Sequence, residues 1–165
     1  YSNVKLTILG EGSKTSKSKI EEIINENELQ EKVELVGFKS NPYELISTCD
    51  CYVLSSISEG FPNALVEAMA CGLPVIATDC DTGPREILSD KEEFKEKNRD
   101  IEYAEFGILV PPKHENKNVL DPLALAMMEA IENSELREYY SKVSVERAMF
   151  FSYPQWRKEH INLLG

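Results

Sequence analysis

Apolar positions recur along this chain in two rhythms. Val4 to Leu9 (VKLTIL) alternates and is rich in branched aliphatic side chains, so it reads as a strand, and Gly10-Glu11-Gly12-Ser13 breaks it. Ile20, Ile23 and Ile24 then share one face of a charged helix over about 16–27. Val33 to Val36 is a second short strand, stopped by Gly37, and Pro42 to Ser47 a short helix. Cys51 to Leu54, Pro74 to Thr78 and Gly107 to Val110 are unbroken apolar runs, as expected of strands covered on both faces. A helix over about 62–71 stands between the first two of these, and Gly72 ends it where a positive φ is cheap. Asp121-Pro122 opens a further helix, with Asp as N-cap and Pro at the first position, and Ser134 is expected to cap another that runs to about Phe150. Pro154 to Leu164 carries Trp156, Ile161 and Leu164 on a last amphipathic helix.

Strands alternating with helices predict an α/β architecture: a Rossmann-like, doubly wound parallel sheet with C-terminal helices. The whole of 1–165 is expected to form a single nucleotide-binding domain. Residues 89–106 are highly charged and weakly periodic, so they are expected to be a surface insertion, and 151–165 the C-terminal helix. Ligands of such folds sit at the carboxyl ends of the strands. The loops at those ends are 10–15, 37–41, 55–61, 79–86 and 111–120, which places the Gly-rich and acidic loops on one rim.

Chemistry concentrates in Ser55 to Asp79, SSISEGFPNALVEAMACGLPVIATD. Glu59 lies in the loop that closes a strand, and Glu67 follows with seven residues between them, in the second turn of the next helix. Phe61-Pro62-Asn63 opens that helix, whose first N–H groups lack intrahelical partners and, with the helix dipole, suit an anion such as a pyrophosphate. A carboxylate at Glu67 can accept two hydrogen bonds from a vicinal diol such as a ribose. Glu59 can do the same for sugar hydroxyls, or stabilise positive charge at an anomeric carbon. A single helix or loop glutamate is ordinarily just a solvated charge. Here the neighbours Ala64, Leu65, Val66, Ala68, Met69 and Ala70 are apolar or small, and a charge among them is costly without partners.

Composition narrows the field. A net charge of −11 argues against general binding to nucleic acid, whose phosphates require clustered Lys and Arg. No apolar run reaches the roughly 18 residues of a membrane span. Cys49, Cys51, Cys71 and Cys80 include no Cys-x-x-Cys pair, so free thiols in a reducing compartment are expected rather than structural zinc. Arg85 can either meet a phosphate or pair with a neighbouring acid.

The run Glu59-Gly60-Phe61 followed by Glu67-Ala68-Met69-Ala70-Cys71-Gly72-Leu73-Pro74-Val75-Ile76-Ala77 resembles the donor-site signature of retaining, nucleotide-sugar-dependent glycosyltransferases of family four, which have the two-Rossmann-domain GT-B fold. The similarity extends to Leu6–Gly12, Val33–Phe38, Cys49-Asp50, Gly83–Leu88, Phe106–Pro111 and the helix at Asp121. The resemblance implies the C-terminal, donor-binding half of such an enzyme. Glu67 would bind the ribose, and Glu59 would face the donor sugar as the catalytic acid group. The backbone of Gly60, Phe61, Pro62, Asn63 and Ala64 would hold the diphosphate and sugar. Gly10 and Gly12 would allow close backbone approach near the phosphates, Gly37 and Phe38 would border the base, and Glu86 matches a recurrent acid near the donor pocket.

The implied activity is transfer of a sugar from a nucleotide diphosphate sugar, a UDP-hexose or UDP-N-acetylhexosamine, to a glycan or lipid-linked acceptor in surface polysaccharide synthesis. No metal and no cofactor is implied, and no Asp-x-Asp pair is present to hold one. The basic Arg/Lys pair that neutralises the leaving diphosphate in this family precedes the first strand, so it is expected upstream of Tyr1. The acceptor domain is likewise expected on a missing N-terminal half, and the 165 residues alone are expected to be inactive. The location implied is cytoplasmic, with peripheral association at the inner face of the membrane. Two alternatives stand beside this: a non-catalytic nucleotide-binding module, and another GT-B enzyme such as a UDP-sugar epimerase.

Overall fold

The computed structural model describes residues 3–90, 100–112 and 121–152. The chain divides into two compact units, Tyr1–Pro42 and Tyr43–Gly165.

In the first unit, strands β1 (Leu6–Leu9) and β2 (Val33–Gly37) pair in parallel, joined by helix α1 (Lys14–Glu26). Ser13 caps α1 by accepting from the Ser16 N–H at 3.1 Å. None of the described residues of this unit is fully buried. A two-stranded sheet with one helix is marginal on its own terms.

The second unit contains β3 (Tyr52–Leu54), β4 (Val75–Thr78), β5 (Glu102–Tyr103) and β6 (Ile108–Val110), in the order β3-β4-β6-β5. β3, β4 and β6 are parallel, and β5 runs antiparallel to β6. Val75, Ile76 and Ala77 are all buried, so β4 is covered on both faces, as its unbroken apolar run required. Ile76, Ile108 and Val110 form one core with Ala126 and Ala130 of α5 (Pro122–Glu132) and Tyr140 of α6 (Ser134–Phe150). Each fully buried aliphatic side chain of this core contributes about 1.5–3 kcal/mol.

Short α2 (Tyr43–Ile46) precedes β3, and α3 (Asn63–Ala70) connects β3 to β4. Gly72 has φ 78°. The Gly72 and Leu73 N–H groups bond back to Met69 O (2.9 Å) and Ala68 O (3.2 Å), the paired bonds of a Schellman ending. That turn aims the chain directly into β4.

Three local expectations change. The end of the charged 89–106 stretch is built into the sheet: β5 pairs with β6, Ala104 is buried, and the Tyr140 hydroxyl donates to Ala104 O at 3.0 Å. Residues 84–86, the end of the expected loop 79–86, belong instead to the short helix α4 (Pro84–Leu88). Asn133 rather than Ser134 caps α6, accepting from the Leu136 N–H at 3.0 Å, because its amide oxygen reaches the third helical N–H. Asp121 caps α5 as expected, accepting from Leu123 N–H. The four cysteines are free, with Cys80 buried and the others half-buried. The expected helix at Pro154–Leu164 lies outside the described residues, as do 91–99 of the charged stretch and 113–120 of the last rim loop.

Candidate functional site

The site grows from the end of β3. Its chain runs out through Ser55–Ser58 to Glu59, turns at Gly60-Phe61-Pro62, and enters α3 at Asn63. Pro62 is the N-cap, and no side chain caps this end. Gly60, Phe61, Asn63 and Ala64 are all exposed, while the Leu65 N–H already donates to Pro62 O at 3.0 Å. The contrast with α1, whose tip Ser13 satisfies, is one of sequence: proline offers no oxygen where serine does.

Glu59 and Glu67 are both half-buried. Among the described residues neither carboxylate has a hydrogen-bond or ion-pair partner. They do share a neighbour: burial pushes the Tyr52 phenol above its ordinary value, and the charges of Glu59 and then Glu67 push it further. Two acids eight positions apart in sequence therefore act on one side chain at the start of β3. A loop acid and a helix acid flank an open helix tip, and their hydrogen-bonding capacity is unspent. That arrangement accepts hydroxyls on either side of an anion.

The loop is held from behind by the segment after β4. The Thr82 hydroxyl donates to Glu59 O, and the Cys80 thiol donates to Ser56 O at 3.0 Å. Gly83 (φ 93°) packs against the loop so closely that a Cβ there would collide with Gly60 O and lie 2.8 Å from Pro62 Cδ. Sequence reasoning missed Tyr52, Thr82 and this use of Gly83. Thr82 and Gly83 had as their only signal a place in the loop after β4, and Tyr52, the first residue of β3, had none.

Arg85 belongs to the framework. Its guanidinium bonds Asp79 at 3.1 and 2.6 Å and Glu102 at 3.3 and 2.8 Å. The Asp79 hydrogen bonds raise its pKa most, with burial opposing. Pairing with acids is thus the outcome of the two alternatives the sequence left open. Glu86 is exposed, and its Oε1 accepts from the Gly83 N–H at 3.4 Å at the start of α4, a one-way bond because Gly83 has no side chain to return it. Phe61 packs edge-on against Phe151 just past α6, with ring centres 5.4 Å apart.

The remaining candidates lie in the first unit. Gly10 (φ 127°) and Gly37 (φ 75°) end β1 and β2, and the Gly10 N–H donates to Gly37 O at 3.0 Å. Both need the left-handed region that glycine alone enters freely. A Cβ at Gly12 would make only an ordinary 3.5 Å contact with Ser16. Phe38 is 69% exposed, a large apolar ring left facing water beside Gly37. Among the described residues no His/Cys/Asp/Glu group is arranged to hold a metal ion, and no helix is long and apolar enough to cross a membrane.

Known proteins share this design. The family model described as glycosyl transferases group 1 matches residues 1–146. An uncharacterized glycosyltransferase of Methanocaldococcus jannaschii is 39% identical over 170 residues, covering 96% of this chain and 41% of the relative. The N-acetylgalactosamine-N,N'-diacetylbacillosaminyl-diphospho-undecaprenol 4-alpha-N-acetylgalactosaminyltransferase of Campylobacter jejuni is 34% identical over 149 residues, 90% of this chain and 35% of the relative. The crystal structure of Anabaena HepE in complex with UDP-glucose superposes with a TM-score of 0.76 at 21% identity, over 99% of this chain and 41% of that one. The chain thus spans about two fifths of the length of the relatives it matches. The Rossmann-like α/β fold is that of GT-B glycosyltransferases, and with its family model running from the first residue to within α6, the chain belongs to the glycosyl transferases group 1 family.

Proposed function

We propose that this chain is the donor-binding half of a retaining glycosyltransferase. The parent enzyme takes a hexose or N-acetylhexosamine from a UDP-sugar and transfers it to a glycan or lipid-linked acceptor held by a further domain. The observation that carries the reading is the pair of half-buried carboxylates, Glu59 just before α3 and Glu67 within it, that have no partner among the described residues beside a helix start that no side chain caps. Supporting it, the Campylobacter relative is named for transfer onto a diphospho-undecaprenol-linked sugar, and the Anabaena neighbour was crystallised with UDP-glucose.

Each residue then has a task. The N–H groups of Gly60, Phe61, Asn63 and Ala64 at the tip of α3 take the diphosphate, whose charge they stabilise as the glycosidic bond breaks. Glu67 accepts from the ribose diol. Glu59 accepts from the sugar and stabilises the positive charge that develops at the anomeric carbon. Neutralisation of the leaving diphosphate is completed by basic side chains of the parent enzyme, so the chemistry requires no metal. Glu86, engaged in capping α4, is left outside the donor contacts.

The test is a titration of UDP and of UDP-glucose into the chain, followed by NMR, with Glu67→Gln and Glu59→Gln beside it. Both ligands bind. Glu67→Gln weakens both by about tenfold, one charge-assisted hydrogen bond's worth, while Glu59→Gln weakens UDP-glucose alone. Equal binding by all three forms removes the reading.

A further inference from the structure

We propose that the turn Cys80–Gly83 is a brace that sets the donor loop, with Thr82 and Gly83 as positioning residues for Glu59; the inference rests on the donor-site reading above. The brace is anchored at its root. Asp79 donates its N–H to Val110 O at 2.8 Å, and its carboxylate is gripped by Arg85, which also holds Glu102 of β5. Asp79 is only 4% exposed, so the root is fixed within the sheet. From there the turn reaches the donor loop at three points. Cys80 holds the Ser56 carbonyl, Thr82 holds the Glu59 carbonyl, and Gly83 abuts the Gly60 carbonyl and the Pro62 ring.

These contacts fall on the backbone either side of the Glu59 side chain and leave the carboxylate itself unspent. Among the described residues no backbone–backbone hydrogen bond within 55–61 holds the loop's carbonyls, and Phe61 is anchored separately on Phe151. Fixing the Glu59 carbonyl fixes the Cα–Cβ direction, and with it the reach of the carboxylate toward a sugar. Glu67 is independent of the brace, because α3 positions it. The two halves of the ligand should therefore respond differently when the brace is cut.

Thr82→Val removes the hydroxyl and keeps the shape. It should weaken UDP-glucose about fivefold, equivalent to about 1 kcal/mol, and UDP by less, because the Gly60 N–H that faces the diphosphate shares the peptide plane of the Glu59 carbonyl. Thr82→Ser should restore the lost affinity, and thermal unfolding of both variants should match the unaltered chain. Gly83→Ala, which must push the loop away, should lose UDP-glucose by more than tenfold. Unchanged UDP-glucose binding by Thr82→Val, or an equal loss of UDP and UDP-glucose, overturns the brace while leaving the donor site standing. If the unaltered chain binds neither ligand, the functional reading falls and the brace with it.

Discussion

Replacing Arg85 by methionine should be among the most damaging single changes outside the apolar core. The guanidinium makes four hydrogen bonds to two carboxylates, and the Asp79 and Glu102 side chains are only 5% and 16% exposed. Methionine fills the space of the aliphatic stem but leaves Asp79 as a buried charge without its cation. Breaking a buried pair from one side costs about 3–5 kcal/mol, most of it the penalty on the stranded partner. For a chain of this size about 2–4 °C accompany each kcal/mol, so the midpoint should fall by about 6–20 °C. Thermal and urea unfolding by far-UV circular dichroism reads this directly. The double variant Arg85→Met/Asp79→Asn should recover part of the loss, since it removes the stranded charge, and a coupling of more than about 1 kcal/mol is expected for groups in direct contact. The reasoning is refuted if Arg85→Met unfolds within 1 kcal/mol of the parent, or if the two single losses simply add.

Two other outcomes follow from single groups. Ser144 is fully buried on α6 and its hydroxyl has no hydrogen-bond partner among the described residues, so Ser144→Ala should be neutral or stabilising by about 1 kcal/mol in the same urea melts; a clear destabilisation would show that the hydroxyl is satisfied in solution. Burial, opposed by Arg137 and aided by Asp50 and Cys49, pushes the Cys51 thiol from 9.0 up to about 12. The folded chain thus holds this proton more tightly than the unfolded one. Its contribution is complete below pH 9, and stability falls as pH rises from there through about 12. Cys51→Ala should flatten that decline, and parallel curves for the two proteins would disprove it.

Much of the second unit could be read from residue order. Three unbroken apolar runs became three parallel strands because only a strand covered on both faces tolerates them, and Val75, Ile76 and Ala77 are all buried. Gly72 ended its helix because φ 78° is strained for any side chain. The Glu59–Glu67 motif was visible for a similar reason: acids set among small apolar residues are costly unless something binds them. β5 escaped notice because Glu102 and Tyr103 sit at the edge of a charged stretch, and its pairing is decided by β6 alone.

Local order could therefore announce which residues carry the chemistry, since propensity, capping and apolar period act over a few positions. It could not announce what holds them. Arg85 had two available fates, and the sheet chose between them by bringing Asp79 at the end of β4 and Glu102 on β5 to the same guanidinium. Thr82 and Gly83 meet Glu59 and Gly60 across 23 positions of intervening helix and strand. Contacts of that kind exist only once neighbouring strands align their carboxyl ends, so no window of sequence contains them; folding alone turns a polar turn into a support for a carboxylate.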